Sequence, residues 1–135
     1  MMDIEKVREL AKEAYGDIKR KDGGLLWDHA RRVASAVATH GYEYMALAYM
    51  HDVLEDTGVN REVIEEALDW DIWVALRAVT RCEGEDYTNY ILRLIKNPMA
   101  VIVKRADIID NLSDNGGVRG SLMDKYRLAL HILGS

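Results

Sequence analysis

Glu43-Tyr44-Met45-Ala46-Leu47-Ala48-Tyr49-Met50-His51-Asp52-Val53-Leu54-Glu55-Asp56 is the stretch on which the fold turns. Ala46, Tyr49, Met50, Val53 and Leu54 recur at three- and four-residue steps, which predicts a helix from about Glu43 to Asp56 with a buried face, closed by Thr57-Gly58. On such a helix residues four apart share a face, so His51 stands over Glu55 and Asp52 over Asp56. An imidazole and three carboxylates then crowd the edge of the core. Their mutual repulsion is costly unless a cation offsets it.

The rest of the chain reads as helix on either side of this segment. Ile4, Val7, Leu10, Ala11 and Ala14 mark a first helix from about Asp3 to Tyr15, ended by Gly16. Lys19-Arg20-Lys21-Asp22-Gly23-Gly24 is a basic loop, and Leu26, Ala30, Val33 and Val37 mark a second helix that stops near Gly41, with His29 on or beside its apolar stripe. Beyond the central segment, Asn60 caps a short helix over about 61–68, Asp69 or Trp70 opens one ending near Arg81, and Asp86 opens one ending before Asn97. Pro98 starts a segment to about Leu112, and Ser121 caps a last helix through Leu133. With no β-branched alternation and no internal repeat, the expectation is an all-α, compact single-domain bundle of seven to eight helices over residues 1–135.

Composition narrows the function. At 49% hydrophobic and 30% charged the chain buries a sizeable core, which excludes a disordered segment. A net charge of −5 argues against broad capture of a nucleic-acid backbone, so no nucleic-acid partner is expected. The N-terminus lacks the apolar core of a signal peptide, no run approaches a membrane span, and the lone Cys82 closes no intramolecular disulfide; a cytoplasmic location without membrane contact is the expectation. Cys82 itself reads as a small buried or partly exposed thiol, and Trp27, Trp70 and Trp73 as core residues, Trp27 lying close enough to His29 to stack on a base. His40 and His131 are assigned no metal role.

A second polar cluster sits in the apolar segment Lys104-Arg105-Ala106-Asp107-Ile108-Ile109-Asp110-Asn111, where Asp107 and Asn111 again share a face. His29, His51, Asp52 and Asp107 together offer two imidazole nitrogens and two carboxylate oxygens. That donor set suits a first-row divalent ion such as Mn²⁺, Fe²⁺ or Zn²⁺ better than Ca²⁺, and the absence of a cysteine pair argues against structural zinc. A shuffled chain of this composition holds the pattern His-Asp-x-x-Glu-Asp only about 0.003 times, so the motif is specific. Periodicity leaves open whether Asp110 and Asp114 face the ion or solvent.

His29, the His51-Asp52 dyad and Asp107 resemble the H…HD…D signature of the HD-domain metal-dependent phosphohydrolases. Arg20-Lys21-Asp22-Gly23, His51 to Thr57, Val79-Thr80-Arg81 and Lys104-x-x-Asp107-x-x-x-Asn111 narrow this to a resemblance to the hydrolase domain of the RelA/SpoT family, from about Arg20 to Asn111. The resemblance implies an all-helical fold, a Mn²⁺ ion held by His29, His51, Asp52 and Asp107, and removal of the 3′-pyrophosphate from guanosine tetra- or pentaphosphate alarmones. No synthetase domain is expected within these 135 residues. Ala30 stands where the family usually has Pro, Leu25-Leu26-Trp27 replaces a Pro-Tyr-Ile-like stretch, Thr80 replaces Lys, and the connection from Arg81 to Lys104 is shorter than in the stand-alone small alarmone hydrolases.

Glu55 and Asp56 are then the candidates to orient or deprotonate the attacking water. Arg20 and Lys21 are placed to hold phosphates, Asn111 to bond sugar or base, and Lys104 to contact the nucleotide or orient Asp107. Two alternatives share these residues: an HD hydrolase of a nucleoside monophosphate or of the 2′-phosphate of NADPH, and a metal-containing nucleotide-binding module without turnover.

Overall fold

The computed structural model describes residues 2–21, 23–113 and 121–134. Asp22 and Asp114 lie outside the described residues, as does the side chain of Ser121. The described residues form nine α-helical segments: α1 Ile4–Tyr15, α2 Leu26–Ala36, α3 Tyr42–Met50, α4 Val53–Asp56, α5 Arg61–Ala67, α6 Trp70–Val79, α7 Tyr87–Leu94, α8 Pro98–Leu112 and α9 Ser121–Ile132, with a 3₁₀ turn at Ala38–His40. The all-α expectation holds, and taking α3 and α4 as one interrupted helix gives eight. Their starts follow the local chemistry. Asp3, Asn60, Asp86 and Asn97 each accept a hydrogen bond from a first-turn N–H, and Pro98 occupies the first turn of α8. At the other end of α1, Gly16 takes φ 53° and returns its N–H to the Lys12 carbonyl, ending the helix.

Helix α3 is the axis of the molecule. Ala46, Leu47, Ala48, Tyr49 and Met50 are all buried, so the C-terminal half of the helix is covered on every side, and α1, α2, α6 and α8 pack around α3. Trp27 is buried and stacked on Tyr49 at 5.7 Å between ring centroids, so it is core and not a base platform. Trp73 is also core, but Trp70 is 69% exposed, which corrects the expectation that all three indoles are buried. Trp70 is the first residue of α6, and the buried face of that helix is taken by Ile72, Trp73, Leu76 and Val79. Cys82 is exposed.

The expected continuous helix from Glu43 to Asp56 is broken at His51-Asp52. Asp52 adopts φ −103° and ψ 0°, and its N–H bonds the Tyr15 hydroxyl at 3.2 Å. The Tyr15 hydroxyl in turn donates to the Tyr49 carbonyl at 2.8 Å, while the Ala48 carbonyl accepts from the His51 ring at 2.6 Å. Side chains thus take over the backbone groups that a continuing helix would pair. The sequence pattern alone does not reveal this because the partner, Tyr15, comes from α1. Its phenol stays neutral, since burial and the Asp52 charge both push its pKa well above 10. Tyr15→Phe removes both bonds at a fully buried point and is expected to cost about 2 kcal/mol of unfolding free energy, read by urea denaturation.

The turn between α6 and α7 is pinned by one acid. Arg93 Nε and Nη2 donate to the two oxygens of Glu85 at 2.9 and 3.0 Å, and the Cys82 N–H donates to the same carboxylate at 3.0 Å. These bonds lower the Glu85 pKa from 4.5 to about 2. A pKa lowered by folding stabilises the fold fully above the unfolded value, and that contribution fades as the pH falls through 4.5 towards 2. The urea midpoint of Glu85→Gln is therefore expected to be lower than wild type at neutral pH and to converge with it in acid. An unchanged gap between the two proteins across that range would contradict the assignment.

Candidate metal and phosphate site

Helix α2 delivers His29, the α3–α4 break delivers His51 and Asp52, and α8 delivers Asp107. His29, His51 and Asp107 are 2%, 4% and 3% exposed, and each of the four residues offers a ligand atom within 4.8 Å of all the others. Asp107 Oδ1 lies 2.7 Å from His29 Nε2 and 3.2 Å from His51 Nε2; Asp52 Oδ2 lies 3.1 Å from His51 Nε2 and 3.8 Å from His29 Nε2. The two Nε2 atoms are 3.2 Å apart. The four sequence candidates therefore converge.

The break in the central helix changes how they do so. His51 and Asp52 belong to the junction, and Glu55 and Asp56 to a separate turn, so the expected helical stacking of His51 over Glu55 does not describe the site. Instead both imidazoles are gripped from outside at Nδ1 and turn Nε2 inward. His51 Nδ1 bonds the Ala48 carbonyl, which can only accept, so that nitrogen carries the hydrogen. His29 Nδ1 lies 2.6 Å from Asp110 Oδ2. Asp110 is itself held by Arg32 through contacts of 2.8 and 3.1 Å. Rings fixed this way by outer carboxylate and carbonyl partners present the donor geometry that metal-ligating histidines use. The donor set fits a divalent cation.

Charge within the cluster is tuned accordingly. Burial disfavours a charged His51, but Asp52 and Asp107 overcome it and hold the imidazole pKa well above 6.5. Burial would raise Asp107, yet Lys104 and the two imidazoles hold it well below the usual carboxylate range. Lys104 Nζ bonds Asp107 Oδ2 at 2.9 Å. Burial works against the lysine's charge, and Asp107 more than restores it. The centre draws in positive charge.

His29, Asp52 and Asp107 of this cluster line a cleft of about 310 Å³, with His51 buried behind them. Glu55, Asp56, Arg20, Lys21, Lys104 and Asn111 all line it, as the sequence reading requires of them. Glu55 and Asp56 are exposed towards solvent, but partial burial lifts Glu55 from 4.5 to about 7, against the lowering effect of the Arg81 N–H that donates to its Oε1 at 2.8 Å. Burial and the Asp52 charge lift Asp56 from 3.8 to about 6. Arg20 is placed by a tight loop: its N–H bonds the Gly24 carbonyl at 2.7 Å, and Gly23, at φ 92°, turns the chain back. Its Nη2 donates to Asn111 Oδ1 at 2.6 Å, while Nη1 is buried without a hydrogen-bond partner among the described residues. Asn111 thus fixes Arg20, and it also reaches Asp107 at 3.4 Å.

The sequence reading missed Tyr15 and Arg32, left Asp110 undecided, and did not anticipate Tyr87, Tyr90 and Tyr126 on the cleft wall. Asp110 carried a usable signal, since it follows Asp107 by three residues on the same helix, but its partner His29 is 81 positions away. Tyr87 and Tyr90 come from α7, which fills the short connection between Arg81 and Lys104.

No family model matches the chain. Among curated proteins it is 31% identical over 120 residues to the guanosine-3′,5′-bis(diphosphate) 3′-pyrophosphohydrolase of Aquifex aeolicus (strain VF5), an alignment covering 82% of this chain and 17% of that protein. It is 25% identical over 120 residues to the "Probable GTP pyrophosphokinase" of Mycobacterium leprae (strain TN), covering 81% of this chain and 15% of that protein. The chain spans about a sixth of the length of these relatives. Its fold matches a solved structure described as a metazoan ortholog of SpoT that hydrolyses ppGpp, with a TM-score of 0.75 at 20% identity over 96% of this chain and 82% of that one. Over most of its length the chain is thus similar in sequence to part of a guanosine-3′,5′-bis(diphosphate) 3′-pyrophosphohydrolase, and it shares the all-α fold of the SpoT ortholog.

Proposed function

We propose that the chain is a metal-dependent phosphohydrolase that removes pyrophosphate from the 3′ position of guanosine tetra- or pentaphosphate. The observation that carries this reading is the convergence, in one cleft, of four inward-facing metal donors, two carboxylates of raised pKa and the cations Arg20, Lys21 and Lys104. The name of the Aquifex aeolicus relative and the activity stated for the SpoT ortholog support the choice of substrate. The lone cysteine supports a reducing, cytoplasmic setting.

His29, His51, Asp52 and Asp107 hold the divalent ion, for which the mixed nitrogen and oxygen donors favour Mn²⁺. When bound, such an ion would supply Lewis acidity towards phosphate oxygens and lower the pKa of the attacking water. Glu55, poised near neutrality, takes the proton from the attacking water, and Asp56 orients that water beside it. Arg20, fixed through Asn111, and the exposed Lys21 hold phosphate oxygens, the first as a planar fork and the second as a point charge. Lys104 keeps Asp107 ionised and in place. The balance is one water consumed, with guanosine 5′-diphosphate and pyrophosphate released from the tetraphosphate.

Two measurements test this. In metal-free protein, ¹⁵N NMR is expected to show the His51 ring doubly protonated above pH 6.5, as the raised pKa requires, and Mn²⁺ uptake to release protons because ligation needs the neutral ring. Proton release unaffected by His51→Ala would contradict the ligand role. Second, protein with Mn²⁺ is incubated with guanosine tetraphosphate, nucleoside monophosphates and NADPH, and products are separated by ion exchange. Pyrophosphate release from the tetraphosphate is expected. Asp52→Ala and Asp107→Ala should abolish it together with bound metal, whereas Glu55→Gln should keep the metal and lose about 100-fold or more in kcat. Turnover confined to a monophosphate or NADPH would replace the alarmone with that substrate, and bound metal without any product would mark a binding module.

A further inference from the structure

Helix α6 presents two different faces. Ile72, Trp73, Leu76 and Val79 enter the core, whereas Trp70, Val74 and Arg77 follow one another at steps of four and three residues and, with Arg81 just beyond the helix end, line a separate groove of about 800 Å³. Leu54 of α4 and Arg61 of α5 form its other walls. Trp70 and Val74 are 69% and 40% exposed, so a large apolar face stands open beside guanidinium groups.

The charges there are not balanced within the fold. Arg93 also lines the groove, but Glu85 neutralises it. Arg61, Arg77 and Arg81 have no ion pair among the described residues. Arg61 lies over the Trp73 ring at 5.8 Å, and Arg81 lies over the Tyr87 ring at 5.8 Å and donates through Nε to the Glu85 carbonyl at 2.7 Å, which leaves the Nη groups of each planar fork for an acceptor. Glu83 is the opposing carboxylate on the lining. Three uncompensated guanidiniums in a chain of net charge −5 concentrate positive potential in one concavity.

We propose that this groove is a second ligand site, which takes a nucleotide by stacking its base on Trp70 and binding its phosphates through Arg61, Arg77 and Arg81. The chemistry follows from the groups present. Guanidinium forks match phosphate oxygens, an exposed indole offers a flat face for a planar base, and the volume is that of a small-molecule pocket, about 300 to 1,000 Å³. A compact ligand fits this concavity better than an extended acidic chain.

The groove is also joined to the catalytic cleft. Leu54 lines the groove while the next two residues, Glu55 and Asp56, line the cleft, and Arg81 lines both. Because the Arg81 N–H holds Glu55 Oε1, a ligand that draws on the Arg81 side chain acts on the position of Glu55. This regulatory part rests on the hydrolase reading. The binding part does not.

Trp70 is the exposed tryptophan of three, so its emission reports the groove. The full chain is titrated with ADP and GDP, with tripolyphosphate and a Glu-rich peptide as comparison probes. Saturable quenching by a nucleotide is expected, lost in Trp70→Phe, with Kd at least about tenfold higher in the Arg61→Gln/Arg77→Gln double variant. Equal nucleotide affinity in wild type and double variant would place binding in the cleft and overturn the proposal. Tripolyphosphate binding as tightly as either nucleotide would overturn the base contact, and Arg-dependent binding of the peptide alone would replace the nucleotide with a protein partner. On the rate, the double variant is expected to match wild-type turnover without added nucleotide and to lose any response to ADP. A response identical in both proteins, or none in wild type, would overturn the coupling to Glu55. Arg-dependent quenching in a chain that turns over no substrate would remove the hydrolase reading and leave this site standing.

Discussion

Two buried imidazoles and two carboxylates meet with their Nε2 atoms 3.2 Å apart, and most of what surrounds them serves to hold that arrangement. Buried carboxylates persist only where positive charge and hydrogen bonds compensate them. Here Lys104 takes one oxygen of Asp107 and the imidazoles crowd the other. Arg32 fixes Asp110, which fixes His29, so the outermost guanidinium sets a ring two contacts further in. The same compensation keeps Asp107 ionised beside the two inward-facing imidazole nitrogens, a donor set that could hold a divalent cation.

The core makes this precision possible. The C-terminal half of helix α3 is buried on all sides, which fixes the point at which the chain leaves it, and Tyr15 defines how it leaves. Site residues therefore arise from helices and from one pinned junction, with the Arg20 loop as the more open component. The four candidate donors are thus held by helices and one pinned junction, while Lys21 on the loop is exposed. On the far side of α4, the groove beneath Trp70 uses the same short helix as a shared wall.

Much of the fold and the centre was legible in the order of residues. Apolar periodicity, caps at Asn60 and Asp86 and the Pro at position 98 fix where helices run, because these are local effects of backbone geometry and hydrogen bonding. His29, His51, Asp52 and Asp107 could be selected because their residue types have few other reasons to interrupt apolar faces. Glu55, Asp56, Arg20, Lys21, Lys104 and Asn111 followed from the pattern around them, and all six line the cleft.

Tertiary structure decided what depends on partners distant in the chain. The break at His51-Asp52 needs a hydroxyl from α1, the role of Asp110 needs a ring from α2, and the cleft wall of Tyr87 and Tyr90 needs α7 to fold over Lys104. Periodicity also placed Trp70 in the core, since an indole is large and apolar; which side of α6 the core covers is set by its neighbours. The sequence by itself determined which chemical groups are present and which local elements carry them. Only packing determined which nitrogen faces inward, which carboxylates stay charged and which faces remain open, because those depend on distances between residues that the chain does not hold adjacent.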